Sequence, residues 1–286
     1  MRRELCYNCC MATTAALARL SATFRLELVE MIYRAGGGHT GGSLSSVDIL
    51  VALYFHTLRY NPRDPDWPER DRFILSKGHS VEGFYCVLAE AGYFPTAELS
   101  TYGAFNSRLY GHPTRKVPGV EVPTGALGHG LSVGVGMAIA GKRDKASYRV
   151  FVLMGDGEQA EGSVWEAAMA ASHHRLDNLV GIIDYNRLQI SGNVDSVMRI
   201  SPLADRWRAF GWTVHEAEGN DPVSLCELFD RLPDVPDTPH LVVAHTTKGK
   251  GVSFMENNPA WHHRLPTADE YDRARRELEK RLEEVG

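Results

Sequence analysis

No apolar run in the sequence approaches 18 residues, which leaves no candidate for a membrane-spanning helix. Residues 1–20 lack the continuous apolar core of a signal peptide. Cysteine is scarce. Cys6, Cys9, Cys10, Cys86 and Cys226 form an odd set without framework spacing, which excludes a disulfide scaffold and points to reduced thiols and a cytoplasmic protein. Cys6-x-x-Cys9-Cys10 has the spacing of half a zinc site, but no second such pair and no nearby histidine pair completes it. There is no excess of positive charge. A formal net charge of −5 argues against a nucleic-acid partner. G-x-S-x-G occurs once, as GLSVG at residues 130–134, but no strand clearly precedes it, so the strand–turn–helix elbow of serine acyl transfer is missing. So is a dinucleotide fingerprint: residues 130–136 (GLSVGVG) open a helix, but no strand clearly precedes them and no acid follows at the required distance. Neither an internal repeat nor a low-complexity linker divides the chain.

What is present suffices for one large core. At 286 residues and 43% hydrophobic, residues 13–286 are expected to form a single domain behind a disordered tail at 1–12. The most informative unit starts at residues 148–154 (YRVFVLM), a β-branched and aromatic run that reads as a buried strand. Residues 165–174 read as a helix of small residues, and 179–184 (LVGIID) as a second strand. Strand, helix, strand in about forty residues makes a right-handed crossover between parallel strands. That geometry brings Asp156, in Gly155-Asp156-Gly157, and Asn186 to the carboxyl edge of the sheet, where open α/β sheets bind ligands. Asp156 offers an anionic oxygen, Asn186 an amide oxygen, and Leu188 a backbone carbonyl. Three hard oxygens suit Mg²⁺, or another divalent cation such as Ca²⁺ or Mn²⁺. Gly157 lets backbone approach a phosphate, and the following helix turns its amide dipoles toward the anion. The unit reads as a Mg-diphosphate site.

Other elements follow in order. Helices are expected at 13–35, 44–58 (capped by Ser43 or Ser46), 81–91, 131–140, 201–210, 223–231 and 268–284, with strands at 73–75, 212–215 and 240–245. The fold class is therefore α/β, a mostly parallel sheet with helices on both faces. His39, His79, His112, His129, His262 and His263 fall in loops at the predicted ligand edge. With an unperturbed pKa of about 6.5, such groups exchange protons near neutrality.

Gly-Asp-Gly with an Asn at this spacing resembles the signature of thiamine diphosphate (ThDP) enzymes. The longer strings GGGHTGGSLSSVDILVALY, DRFILSKGH, YGHP, TGALGHGLSVGVGMAIA and TTKGKGVSFMENNPAWHH are similar to transketolases, in order, over most of the chain. The closest likeness is to the amino-terminal chain of transketolases split into two polypeptides. The resemblance implies the thiamin-diphosphate-binding (PP) fold, with ThDP and Mg²⁺ as cofactors. It implies that Asp156, Asn186 and the Leu188 carbonyl hold the metal. It implies that His79, Gly125, Ala126, Leu127, Gly157, Glu158 and His262 contact ThDP. His39, His79, His112 and His262 would be catalytic, moving a two-carbon ketol unit from a ketose, free or phosphorylated, to an aldose.

The chain departs from that pattern in length. Family transketolases run to about twice its size, and their second domain supplies the glutamate that activates the aminopyrimidine. Glu158, Glu161 and Glu166 follow Gly155-Asp156-Gly157 and cannot stand in for it. A separate C-terminal subunit is the expected partner, in a heterotetramer with two of each chain. Glu82, His129 and His263 also depart from the usual residues; Glu82 is expected at the surface, with an unusual substrate as the alternative reading. The alternatives are the α-type subunit of a 2-oxoacid dehydrogenase or acyloin-forming enzyme, or a ThDP-binding module inactive on its own.

Overall fold

The computed structural model describes residues 13–286, so the Cys6, Cys9 and Cys10 cluster and the tail expected at 1–12 lie outside the described residues. In chain order the regular elements are α1 (Thr14–Ala35), α2 (Thr40–Ala52), β1 (Arg72–Leu75), α3 (Val81–Glu90), α4 (Gly130–Arg143), β2 (Val150–Gly155) and α5 (Gly162–His173). They continue with β3 (Leu179–Tyr185), β4 (Leu188–Gln189), β5 (Gly192–Asn193), α6 (Val194–Val197), α7 (Leu203–Ala209), β6 (Thr213–Glu218), α8 (Pro222–Phe229), β7 (His240–His245) and α9 (Ala268–Glu284). The main sheet runs β1-β2-β3-β7-β6 and is parallel throughout; β4 and β5 form a separate hairpin.

The central strands β2, β3 and β7 are mostly apolar because both faces of the sheet are covered there. Alternate residues divide between two cores. Phe151, Leu153, Val180, Ile182, Val242 and Ala244 enter the core beneath α1, α2, α3 and α8. Val150, Val152, Met154, Leu179, Ile183, Leu241 and Val243 enter the core beneath α4, α5 and α7. The predicted crossover is present, and β2 pairs directly with β3, with Gly155 opposite Asp184.

Helix α2 begins earlier than expected. Thr40, Gly41 and Gly42 lie inside it, so Ser43 and Ser46 are not caps. Ser43 Oγ instead donates to Glu82, and Ser46 Oγ to the Gly42 carbonyl at 3.0 Å. The early start needs glycine: a Cβ on Gly41 would stand 2.8 Å from the Trp261 carbonyl. Every residue of α2 is buried, so it has no polar face. Among the described residues no helix is long and apolar enough to cross a membrane.

One buried ion pair connects this frame to the edge that carries the site. The Arg25 guanidinium of α1 donates twice to the Asp48 carboxylate of α2, once at 3.2 Å. Asn220 Nδ2 donates to the same carboxylate at 3.0 Å, while its Oδ1 accepts the Thr247 N–H at 2.7 Å. The loop after β7 is thereby held to α2. Asp48→Ala should destabilise the protein by about 3–5 kcal/mol, because Arg25 is left charged and buried. Replacing both partners with Met or Leu should recover much of that loss. Urea unfolding of the single and double variants measures the difference, and equal losses would refute the assignment.

Candidate functional site

A cavity of about 530 Å³ opens at the carboxyl ends of the central strands. Gly155, Asp156 and Gly157 reach it from β2, Asn186 from the turn after β3 and Leu188 from β4. His79 follows β1, while Lys248 and His262 follow β7. The Asp156 carboxylate accepts the Gly157 N–H at 2.7 Å and the Arg187 N–H. Asn186 Oδ1 accepts the Leu188 N–H at 3.0 Å. Arg187 holds a left-handed backbone, φ 64°, which costs a side-chain-bearing residue about 1–2 kcal/mol. That conformation turns its N–H toward Asp156. The Leu188 carbonyl accepts from Lys248 Nζ at 3.1 Å. A carboxylate, an amide oxygen and a carbonyl thus line one cavity, a donor set of hard oxygens that fits Mg²⁺ or Ca²⁺.

Beneath these groups lies an ion pair that no sequence motif announces. Asp184, the penultimate residue of β3, is fully buried and pairs with Lys77 Nζ. Ser45 Oγ donates to it at 2.5 Å, and Thr246 Oγ1 also donates. Burial works to raise the Asp184 carboxyl, but the Lys77 ammonium and the two hydroxyls outweigh it, so its pKa falls below the usual range. Asp156 is shifted the other way. Burial first, then the Asp184 charge, push its carboxyl up. Burial and the Lys77 ammonium push Lys248 down. A divalent cation beside Asp156 would reverse that carboxylate's shift by supplying the missing opposite charge. The signal for Asp184 was available in principle: a carboxylate ending an apolar strand must find a buried cation.

The histidines converge. The His39 ring centroid lies 5.1 Å from that of His79 and 5.6 Å from that of His262, and the last two are 5.3 Å apart. His263 stacks at 6.4 Å from His39. Burial is the main cause of depressed pKa values: His79 falls to about 2, His262 to about 3 and His39 to about 4. Lys77, Lys248 and His112 respectively add to the effect. All three imidazoles are neutral at physiological pH. Among the described residues His39 Nδ1 is buried with no hydrogen-bond partner, and the Lys248 ammonium meets His262 Nδ1 at 3.0 Å.

Some expected residues stand elsewhere. His112 is exposed at the rim, 6.3 Å from His39, with its ring against Gly125, where an added Cβ would lie 2.3 Å from Cδ2. Gly125 and Leu127 line the cavity, whereas Ala126 faces a second hollow with Val122, His129 and Val133. Glu158 is buried and its oxygens already serve the protein. They accept Ser76 Oγ, the Gly128 N–H at 2.8 Å and the Gly155 N–H at 3.1 Å, tying three loops together.

Glu82 is not a surface residue; it is fully buried in α3. It accepts Ser43 Oγ at 2.6 Å, the Tyr102 hydroxyl at 2.7 Å and the His39 N–H at 3.0 Å. Three donors make its burial tolerable, and it fixes the backbone that carries His39.

A family model described as "Transketolase, thiamine diphosphate binding domain" matches residues 17–282. The chain belongs to the transketolase family. Among curated relatives, an apulose-4-phosphate transketolase subunit of Phocaeicola vulgatus is 53% identical over 261 residues, covering 91% of this chain and 93% of that protein. The 6-deoxy-6-sulfo-D-fructose transketolase subunit SqwG of a Clostridium species is 41% identical over 253 residues, 88% of this chain and 92% of that one. The transketolase of Campylobacter jejuni superposes with a TM-score of 0.86 at 28% identity, over 92% of this chain and 43% of that chain. This transketolase-family chain therefore spans less than half the length of that solved relative, but nearly all of the two curated subunits. The PP fold expected from the motifs is the fold observed.

Two outcomes test this electrostatic arrangement. The folded-state pKa values of His39, His79 and His262 lie below the unfolded value of about 6.5, so the unfolded chain binds protons that the folded chain refuses. The histidines' contribution to stability is therefore full above about pH 7 and declines as pH falls below about 6.5, while the raised Asp156 carboxyl works in the opposite direction. His79→Asn should flatten that decline between pH 7 and 5 in urea titrations; an unchanged slope would mean that His79 titrates normally. Glu82→Ala should cost about 1–3 kcal/mol by leaving buried donors unpaired, and Glu82→Gln less. Equal melting temperatures for the two variants and the natural chain would return Glu82 to a passive role.

Proposed function

We propose that this chain is the ThDP- and Mg²⁺-binding subunit of a two-chain transketolase. In the reaction a two-carbon ketol unit passes from a ketose or ketose phosphate donor to an aldose acceptor. The observation that carries the reading is the convergence, in one cleft, of a hard-oxygen donor set with a cluster of neutral, buried imidazoles. The near full-length match to proteins named as transketolase subunits supports a division of the site between two chains. It also favours transketolase over a 2-oxoacid dehydrogenase α subunit or a silent binding module.

Asp156, Asn186 and the Leu188 carbonyl would hold the cation, and Gly157 would meet the diphosphate. His79, Gly125, Leu127 and His262 would border the rest of the cofactor. ThDP, when bound, supplies the nucleophilic carbon and the electron sink. The protein supplies position and proton transfer. His39 and His262 are neutral, so each can accept a substrate hydroxyl proton or donate to a carbonyl oxygen. His112 at the rim would meet the distal part of the sugar. A C-terminal subunit would add the activating glutamate, in a cytoplasmic heterotetramer. The relative named for apulose 4-phosphate makes that sugar phosphate the first substrate to try.

The test mixes the purified chain with its C-terminal partner, ThDP and Mg²⁺. Two-carbon transfer is assayed from hydroxypyruvate, xylulose 5-phosphate and apulose 4-phosphate. Turnover should require both chains, and His262→Gln should lower kcat by about 100-fold or more. Activity of this chain alone, or an unaffected His262 variant, would sink the proposal.

A further inference from the structure

A second group of metal-ligating side chains lies far from the cleft, at the edge strand. His240 opens β7, at the amino end of the sheet, whereas the cleft occupies the carboxyl end. Its side chain is fully buried. Nε2–H donates to the Val235 carbonyl at 3.2 Å, which leaves Nδ1 as an unprotonated lone pair. That lone pair faces His215 Nε2, on β6, at 3.5 Å and Asp234 Oδ1 at 3.4 Å. His215 Nε2 and Asp234 Oδ1 are themselves 3.5 Å apart.

The three atoms form a nearly equilateral triangle. Its edges are long for hydrogen bonds, whose usual range ends at about 3.2 Å. They match the ligand-to-ligand spacing in a tetrahedral metal centre, which is about 3.4 Å when the metal bonds are about 2.1 Å. The His240 N–H bound to a backbone carbonyl is the outer contact that orients metal-ligating imidazoles. The loop is also pre-positioned: the Asp237 N–H donates to Asp177 at 3.1 Å, and the Thr238 and Thr213 hydroxyls meet at 3.0 Å.

We infer that His215, Asp234 and His240 form a zinc-type site, separate from the cofactor cleft, that fastens the loop before β7 to the edge strand β6. Two imidazoles and one carboxylate favour Zn²⁺, Co²⁺ or Ni²⁺ over Mg²⁺. Asp234 stands at the surface, with 40% of its side chain exposed, so water completes the fourth position. Binding needs no redox partner. It displaces only the proton of whichever ligand is protonated.

The experiment uses the full chain carrying Cys6→Ser, Cys9→Ser and Cys10→Ser, so that the N-terminal thiols do not compete. After chelation, Zn²⁺ is titrated and bound metal is counted at micromolar free ion. Co²⁺ is added in parallel and its visible spectrum recorded. One more equivalent of Zn²⁺ is expected in the natural site than in Asp234→Ala. Also expected is a zinc-dependent rise in Tm that Asp234→Ala and His215→Gln both lose. Asp156→Asn, in the cofactor cleft, should keep both. Asp234 is on the surface, so its variant is expected to fold even if His240 variants do not. No zinc bound by the parent, or the same stoichiometry in Asp234→Ala, would overturn the assignment.

Discussion

The cleft depends on the buried pair between Asp184 and Lys77. Lys77 lies just beyond β1 and Asp184 near the end of β3, with β2 between them. The pair also gathers Ser45 from α2 and Thr246 from the loop after β7, and Lys77 donates to the Gly42 carbonyl at 2.9 Å. Four segments distant in sequence are thereby fixed at one point. Two desolvated charges are tolerated only when further hydrogen bonds support them. This pair meets that condition, and so it positions the loops that bear His79, Lys248 and Asn186.

Around that neutralised pair, the remaining groups are pushed toward their uncharged forms. Asp156 is held toward its protonated form by burial and by Asp184, and Lys248 toward its neutral form by burial and by Lys77. The imidazoles above them are uncharged. Such a cleft favours a ligand that brings a cation and an anion together, as a metal diphosphate does. Perturbed groups clustered in one concave site are the pattern expected where chemistry occurs.

Much of this was legible in the sequence. The apolar runs marked β2, β3 and β7, because strands buried on both faces read as near-continuous hydrophobic runs. The spacing of Asp156 and Asn186 followed from the crossover. What stayed hidden has one physical cause: buried polar residues are defined by partners far along the chain. Glu82 sits in a helix and reads as solvated until Ser43, Tyr102 and His39 are folded against it. The start of α2 was missed because glycines ordinarily end helices, and only the contact with Trp261 shows why they are needed there. Asp184 read as part of a strand, and Lys248 as part of a glycine-rich loop. His215 and His240 lie in strands whose pairing brings them together, and neither stood out alone.

The most direct measurement of the central claim is an equilibrium titration of thiamine diphosphate into the chain, with and without the proposed C-terminal partner. Each titration is run with Mg²⁺ and again with a chelator, for the natural sequence and for Asp156→Asn. The predicted result is binding that requires the divalent cation and is lost in the variant, whose circular dichroism remains that of the parent. Equal affinity with the metal removed, or with Asp156 replaced, would contradict it.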